Sequence, residues 1–408
     1  MKTIRIAHLV NPTFGSVFSG HTHYLFTLLS GWTDKDISLD LLGTQIKPLN
    51  MNSGDPVYCL PEGSFWSSPK RQDRWDRIRW SFRQLRILIN FNKKYDIIHF
   101  HSLNWGSLIS PLILHPMKKK VVFTMSLFGN DNPSYLSQQP RGGLQVALLR
   151  KFDGAIGLSP ALVEDAKANG LHNVICLPNF LAIPQLEENL NEISLQQRRT
   201  VARIKFDFPQ NARILLFVGS IIHRKGVDVL VDAFIKLASK YPDLLLVLVG
   251  PQSKSETNSI NEEYVIQLKE SIESSGYKDR VIWVGMVREQ STLVEYYRSA
   301  DIFVLPTRNE GSPNVLAEAM AANLPVVISM LPGITDSIIS TEESGCLVKP
   351  DDTVGFTLAL DELLRDEDKR NAMGKAGRKI AMEKFSFDSY CQKLKCFYLD
   401  LVVHQPHG

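Results

Sequence analysis

The chain has 408 residues, which exceeds the roughly 100–200 residues of one ordinary domain and predicts two or three domains. Hydrophobic residues make up 44% and charged residues 22%, a globular composition that excludes a disordered or collagen-like chain. Its 46 basic and 43 acidic side chains leave a net charge of +3, which is too near balance for a dedicated nucleic-acid binder.

Short apolar runs alternate with longer amphipathic segments in the first half of the chain. Runs that are apolar at every position are typical of parallel strands covered on both faces. The predicted strands are Ile4–Val10, Leu39–Leu42, Ile97–Phe100, Val121–Met125, Ala155–Leu158 and Val174–Leu177. The predicted helices are His21–Trp32, Asp73–Phe91 and Ala161–Asn169. This alternation predicts a parallel α/β sheet.

The same alternation starts again in the second half, which predicts a second sheet. Its predicted strands are Ile214–Val218, Leu244–Val249, Val281–Val284, Ile302–Val304, Val326–Ser329 and Cys346–Val348. Its predicted helices are Val227–Lys240, Glu262–Ser275, Thr292–Arg298 and Val315–Ala322. A polar stretch between the two series predicts a linker at about 181–196. We therefore expect domains at 1–183 and 197–385, with a last helix in 386–408 that packs back on the first domain.

Nucleotides bind beyond the carboxyl ends of such parallel strands, but the familiar nucleotide signatures are missing. There is no G-x-G-x-x-G, and the only Lys-Gly pair lies in His223–Gly226 without the spacing of a P-loop. In that run, Arg224 and Lys225 lie between a buried strand and a helix, where two cations would meet a phosphate. The alternative is a loop whose cations face water.

A second run, Pro306–Ala321, predicts an anion site. Its loop leads into a helix that begins near Asn314, and Gly311 permits close approach to the backbone N–H groups of the helix N-terminus. Glu310 lies in this loop and Glu318 lies about one turn into the helix, so we expect both carboxylates beside the anion. The alternative places Glu318 on the helix surface and makes Glu310 a partner of the helix dipole.

Together these runs resemble the retaining glycosyltransferases of family 4, within the glycosyl transferases group 1. The resemblance covers nearly the whole second half, from Gly219–Gly226 through Glu310–Ala321 to Pro325–Val327, and the first half more loosely. It implies an α/β fold of the GT-B class, in which two Rossmann-like parallel-sheet domains face each other across a cleft.

The resemblance also implies roles for individual residues. Glu310 would meet hydroxyls of the transferred sugar, Glu318 the ribose hydroxyls, and Lys225 the diphosphate. Arg224 would supply the charge of an arginine that the family often has where Ser220 stands here. The other implied donor-binding residues are Gly20, Gly219, Val284, Met286, Gly311, Asn314 and Val315. Among these, Val284 and Met286, together with Gly285, match the family segment that flanks the base of the nucleotide.

The acceptor side departs from the family pattern. Many members carry a histidine where Ser126 stands, and we give His101 and Asp131 as candidate acceptor residues because they lie nearby in the sequence. His99 and His101 alternate on one strand, but no third metal ligand is evident, so packing or acceptor contact is favoured. Asp34-Lys35-Asp36 spells a D-x-D metal motif, but it falls in a loop where we expect no metal.

The implied reaction moves a sugar from a nucleoside-diphosphate sugar, with UDP favoured, to a hydroxyl of a saccharide or lipid-linked acceptor. Polysaccharide or glycolipid synthesis is its expected setting, with retention of configuration and without metal, other cofactor or nucleic acid. Two alternatives stay open. One is another GT-B chemistry, such as a sugar-nucleotide epimerase or a phosphorylase, and the other is a catalytically silent nucleotide-sugar-binding subunit.

A basic segment, Lys70 to Lys94, holds nine basic and two acidic side chains, which gives it a local net charge of +7. Interleaved aromatic residues predict an amphipathic helix that either lies on anionic lipid or forms an ordinary solvated face. Five cysteines without a C-x-x-C pair, a start without a signal-peptide pattern and the absence of a long apolar run predict a cytoplasmic protein, peripheral at the inner face of the membrane if the segment binds lipid.

Overall fold

The structure is a computed structural model that describes residues 3–9, 20–43, 57–59, 89, 94–186, 192–257 and 259–403. The chain divides into two compact units. Unit 1 contains Met1–Ala182 and Phe387–Gly408, and unit 2 contains Ile183–Ser386. None of the helices in these described ranges combines the length and the apolar character that crossing a membrane requires.

The described residues form thirteen strands, seven in unit 1 and six in unit 2. The strands of unit 1 are β1 (Ile4–Leu9), β2 (Ile37–Gly43), β3 (Val57–Cys59), β4 (Ile97–Phe100), β5 (Lys120–Met125), β6 (Gly154–Gly157) and β7 (Val174–Cys176). The strands of unit 2 are β8 (Arg213–Val218), β9 (Leu244–Val249), β10 (Val281–Gly285), β11 (Ile302–Leu305), β12 (Val326–Ser329) and β13 (Cys346–Val348).

The α-helices of the described chain connect and cover these strands. They are α1 (Gly20–Gly31), α2 (Trp105–Leu114), α3 (Pro133–Ser137), α4 (Gly142–Leu149), α5 (Pro160–Ala168), α6 (Glu192–Lys205), α7 (Val227–Ala238), α8 (Glu262–Ser275), α9 (Gln290–Ser299), α10 (Asn314–Ala321), α11 (Thr353–Arg365), α12 (Glu367–Lys384) and α13 (Phe387–Val403). Most of them connect one strand to the next in the chain, as crossover connections between parallel strands do.

Both sheets are parallel and share one strand order. Unit 1 has the order β3-β2-β1-β4-β5-β6-β7, and unit 2 has β10-β9-β8-β11-β12-β13. In each sheet the first strand in the chain lies at the centre and the chain reverses direction there, which is the doubly wound arrangement of Rossmann-like domains. The point of reversal in unit 2 lies between β8 and β11, so the loops after these two strands are neighbours.

The strands form the cores because they are apolar on both faces. Leu215, Leu216 and Phe217 of β8 are completely buried, as expected for a central parallel strand. In unit 1 the last helix contributes to the core, since Leu394 and Tyr398 of α13 pack with residues of β1, β2 and β4. Unit 1 therefore contains chain from both ends of the sequence.

Every strand predicted from the sequence is present, with ends that differ by at most two residues. The structure adds β3, which is only three residues long, and several helices without a clear amphipathic pattern, such as α2 with its internal Pro111. The predicted helix Asp73–Phe91 lies outside the described residues except for Ile89, and so does almost all of the basic segment.

The predicted linker at 181–196 is partly wrong, because its last five residues belong to α6. Unit 2 begins at Ile183, not at 197. The reason is packing that a polar sequence conceals: the Arg203 guanidinium is buried and donates to Asp301 Oδ2 at 2.7 Å and to the Ser299 carbonyl at 3.0 Å. Phe206 stacks on Tyr296 with ring centroids 4.0 Å apart, which further ties this segment to α9.

Candidate active site

The loop after β8 carries the two predicted cations. Gly219 has φ +152° and donates its N–H to the Val249 carbonyl at 2.9 Å, which joins this loop to the end of β9. Residues His223–Lys225 form one turn of 3₁₀ helix, and Gly226 follows at φ +68°. A Cβ atom on Gly226 would collide with the Pro306 carbonyl, so this glycine permits the loop to press against the end of β11.

Hydrogen bonds then fix this loop to the segment after β11. The Arg224 carbonyl accepts from Arg308 N at 2.8 Å and from Thr307 Oγ1 at 3.1 Å. The Arg308 guanidinium forms a two-bond ion pair with Asp228, at 2.9 and 2.7 Å. These bonds hold the two loops side by side, so charged groups 85 positions apart in the chain meet.

Glu310 lies at the meeting point and is 5% exposed. Its Oε1 accepts from Lys225 Nζ at 2.5 Å and from Thr307 Oγ1 at 3.0 Å, and its Oε2 lies 3.3 Å from Arg224 Nη1. Burial opposes ionisation, but the two cations and these hydrogen bonds outweigh it and hold the pKa of Glu310 below its ordinary value. The structure therefore brings the three predicted catalytic residues into one cluster with an ionised carboxylate.

The N-terminus of α10 follows this cluster in the chain. Its N-cap is Pro313, whose side chain has no hydrogen-bond acceptor, and Asn314 and Val315 form its first two positions. Gly311 is buried in the preceding loop. The helix dipole thus adds positive potential next to the loop that carries Glu310, in the order that the sequence predicted.

Glu318 lies on α10 and has a partner that the sequence did not indicate. The hydroxyl of the completely buried Tyr297 donates to Glu318 Oε2 at 2.7 Å. Burial raises the pKa of Glu318, and the Tyr297 hydrogen bond opposes that rise. The surface position considered for Glu318 is therefore wrong, because its carboxylate is held by a core side chain.

The predicted base-flanking residues lie at the end of β10. Val284 is part of the strand, and Gly285 follows at φ +79°. Met286 N donates to Glu256 Oε1 at 2.7 Å, and Gly250 N donates to the Gly285 carbonyl at 2.9 Å. The loop after β9 therefore lies against these residues.

In unit 1, Gly20 is the first residue of α1, and His101 follows β4. His101 is buried with His8 and His99, and its Nε2 lies 2.8 Å from His8 Nδ1. His8 is thus the third histidine that the sequence did not reveal, and the three rings bring possible ligand atoms within 4.8 Å of one another. Burial lowers the pKa of His8 to about 3, so its imidazole is neutral.

Hydroxyl groups complete this cluster. His99 Nδ1 lies 2.7 Å from the Tyr398 hydroxyl, and His99 Nε2 lies 2.7 Å from Thr124 Oγ1. The Tyr398 hydroxyl also lies 3.3 Å from His8 Nε2. Both nitrogens of His99 therefore have hydrogen-bond partners within the protein, an arrangement typical of buried polar packing.

The other candidate acceptor residue, Asp131, pairs with the serine at the family's histidine position. Asp131 Oδ2 accepts from Ser126 N at 2.8 Å and from Ser126 Oγ at 2.7 Å, and Oδ1 accepts from Leu127 N at 3.1 Å. Burial raises the pKa of Asp131 although these bonds oppose the rise. In the D-x-D sequence, Asp34 and Asp36 both bind Lys395 Nζ of α13, at 2.5 and 3.2 Å.

Sequence reasoning identified the charged residues of unit 2 but missed the side chains that hold them. Thr307, Arg308, Tyr297 and Glu256 each contact a predicted site residue. The one signal available was position, since Thr307 and Arg308 directly follow a predicted strand. Unit 2 has the architecture of a Rossmann-like domain and carries a cluster of charged side chains in the loops after β8 and β11.

Comparison with known proteins gives the family. Residues 198–380 match the model of the family described as glycosyl transferases group 1. This segment, less than half of the chain, is similar to the group 1 glycosyltransferases, which confirms the resemblance at the level of the group. The finer assignment to family 4 stays a prediction.

Two curated relatives differ in how much of their length is matched. The capsular polysaccharide biosynthesis glycosyltransferase CapM of Staphylococcus aureus is 28% identical over 185 residues, which cover 45% of each chain. The chain thus spans about half the length of that relative. The D-inositol 3-phosphate glycosyltransferase of Corynebacterium diphtheriae is 29% identical over 416 aligned residues, which cover 99% of this chain and 94% of the relative.

A solved structure shares the fold that the described residues form. Anabaena HepE in complex with UDP superposes with a TM-score of 0.72 at 15% sequence identity, covering 98% of this chain and 100% of HepE. At this identity the likeness concerns the fold alone. The predicted GT-B fold class, with two Rossmann-like parallel sheets, is confirmed.

Proposed function

We propose that the protein is a retaining glycosyltransferase that moves a sugar from a nucleoside-diphosphate sugar to an acceptor hydroxyl. In this reaction the bond from the sugar C1 to the diphosphate oxygen breaks, and a bond from C1 to the acceptor oxygen forms on the same face of the ring. The proton of the acceptor hydroxyl passes to the departing diphosphate. Negative charge then accumulates on the departing diphosphate, which must be stabilised by fixed positive groups.

The observation that carries this proposal is the cluster of Glu310, Lys225 and Arg224 beside the N-terminus of α10. The two cations and the helix dipole supply positive potential for the diphosphate. Glu310 stays ionised and accepts hydrogen bonds, as a group that meets sugar hydroxyls must. When a donor binds, its phosphates compete with Glu310 for Lys225 and Arg224, which frees the Glu310 carboxylate for the sugar.

For the donor we propose a UDP-sugar, supported by the fold that the chain shares with HepE, whose structure contains UDP. The acceptor we propose is a saccharide or lipid-linked saccharide, supported by relatives such as CapM that are named for capsular polysaccharide biosynthesis. His101 and Asp131 of unit 1 are its proposed contacts. The basic segment would bring the enzyme to an anionic membrane, which liposome flotation with and without anionic lipid tests.

The experiment replaces Glu310 by Gln, which keeps the shape of the side chain and removes its charge. UDP release is measured with a panel of UDP-sugars and saccharide acceptors, and circular dichroism checks that the variant is folded. We expect turnover to fall at least 100-fold, while Glu270→Gln on the exposed side of α8 is unchanged. Normal turnover by Glu310→Gln would refute the assignment.

The same assay separates the alternative chemistries. An epimerase changes the sugar of a UDP-sugar when no acceptor is present, and a silent binding subunit binds UDP without turning over any donor. A phosphorylase requires inorganic phosphate and a glycoside. Release of UDP that depends on an added saccharide supports the transferase alone.

A further inference from the structure

The loop after β9 is fixed in place by one carboxylate. Glu256 Oε2 accepts from Gln252 N at 2.8 Å, from Ser253 N at 3.1 Å and from Ser253 Oγ at 3.1 Å, while its Oε1 accepts from Met286 N at 2.7 Å. Burial opposes ionisation, but these donors lower the pKa of Glu256 below its ordinary value. Glu256 therefore joins the loop to the segment at the end of β10 as an ionised group.

The contact between the loop after β9 and the end of β10 leaves little room for a side chain at Gly285. A Cβ on Gly285 would lie 3.0 Å from Glu256 Oε1 and 3.6 Å from Gln252 Nε2, and the φ of +79° at Gly285 is unfavourable for other residues. The side-chain amide of Gln252 thus lies beside the backbone of Gly285. That backbone is where the resemblance to family members places the nucleobase of the donor.

Gln252 has an unsatisfied polar atom at this position. Its Oε1 is buried and accepts no hydrogen bond from any residue that the structure describes. A buried amide oxygen without a donor is costly, so such atoms are uncommon in folded proteins and indicate a missing partner. The backbone of Gln252 is held by Glu256, so the side chain starts from a fixed position.

We propose that Gln252 reads the base of the donor nucleotide, with its Oε1 accepting a hydrogen bond from an N–H group on the edge of the ring. For uracil this group is the N3–H, which lies between two carbonyl oxygens of the ring. The NH2 group of the Gln252 side chain would donate to one of these two oxygens. Glu256 is a positioning residue for this contact because it holds the Gln252 backbone and the Met286 N–H together. This inference rests on the proposed function, which places a nucleoside diphosphate in unit 2.

The test compares UDP with N3-methyl-UDP, which lacks only the N3–H donor, by isothermal titration calorimetry on the full chain. We expect wild-type protein to bind the methylated nucleotide about tenfold or more weakly, which corresponds to one hydrogen bond and a buried acceptor left unpaired. Gln252→Ala should bind UDP about tenfold more weakly and should lose the discrimination between the two nucleotides. Gln267→Ala, on the exposed face of α8, should behave as the wild type.

The outcomes are distinguishable. Discrimination that is equally strong in Gln252→Ala and in the wild type overturns the role of Gln252 while the proposed function stands. A wild-type protein that binds both nucleotides equally well has the same consequence. If wild-type protein does not bind UDP at all, the proposed donor is wrong and the inference for uracil falls with it.

Discussion

The hydrogen bond from Tyr297 to Glu318 predicts that Tyr297→Phe lowers the stability of the protein by an amount that depends on pH. Tyr297→Phe removes one hydroxyl oxygen from a completely buried ring and leaves the ring packing in place. Glu318 then loses the donor that lies 2.7 Å from its Oε2. We expect the variant to be folded but less stable, and to bind nucleoside diphosphates more weakly if Glu318 meets the ribose.

The free energy of unfolding that is lost in Tyr297→Phe depends on whether the Glu318 carboxyl group is ionised. A hydrogen bond to a neutral group contributes about 0.5–1.5 kcal/mol and one to an ionised group about 1.5–3 kcal/mol, so we expect a loss of about 1–2 kcal/mol at pH 7.5. For a unit of this size, such a loss lowers the melting temperature by about 2–8 °C. Burial already raises the pKa of Glu318, and removal of the Tyr297 hydroxyl raises this pKa further.

The sign of the pH dependence follows from this shift. Between the pKa of an unfolded glutamate and the higher folded pKa, the folded state binds more protons, so the free energy of unfolding falls as the pH rises. Because Tyr297→Phe raises the folded pKa, the difference in stability between variant and wild type grows with pH above the ordinary glutamate pKa. At pH 4 and below, where both states are protonated, the charge-dependent part of the loss disappears.

Thermal unfolding of both proteins at pH 4.5 and pH 7.5 measures this difference. Tyr296→Phe is the matched control, because Tyr296 is the neighbouring residue of α9 and stacks on Phe206 through its ring. We expect Tyr296→Phe to change stability by less than about 0.5 kcal/mol at both pH values. A Tyr297→Phe loss that is equal at both pH values would show that the hydroxyl does not act on the Glu318 charge.

Two further predictions concern the loop after β8. Lys225→Met should weaken UDP binding about 10–100-fold, because a partly buried cation of the proposed diphosphate site is lost. Lys236→Met, on the exposed face of α7, should leave binding unchanged. Equal affinities of both variants in calorimetry would contradict the proposed phosphate role of Lys225. Gly226→Ala should destabilise the protein by more than about 2 kcal/mol, since the added methyl collides with the Pro306 carbonyl at a positive φ. Gly276→Ala has a similar φ of +76° and open space around it, so urea unfolding should show a loss of only about 1 kcal/mol, and equal losses would rule out the collision.

The parallel sheets and the charged residues of unit 2 could be predicted from the sequence because each is encoded locally. A strand such as Leu244–Val249 is apolar at every position, and Glu310 lies within one continuous run with the helix that follows it. The helix α6 could not be predicted in this way, since its sequence is polar and its burial comes from the contact of Arg203 with Asp301. A long-range ion pair of this kind leaves no local pattern.

The partners of the site residues were also missed because their contacts are long-range. The order of the strands in the sheet shows where such partners can be found. Tyr297 and Glu256 precede the site residues that they contact, Glu318 and Met286, by 21 and 30 positions, so spacing along the chain does not connect them. The order of the strands connects such residues, because β8 lies between β9 and β11. The loops after these three strands are therefore neighbours at the carboxyl edge of the sheet. Once the strands and their order are known, the first residues after each strand are the candidates for mutual contact. Among the first residues after β8, β9 and β11, Gln252 has a side-chain oxygen that is buried and unpaired within the described chain, and the nucleotide proposed at this edge would be its donor.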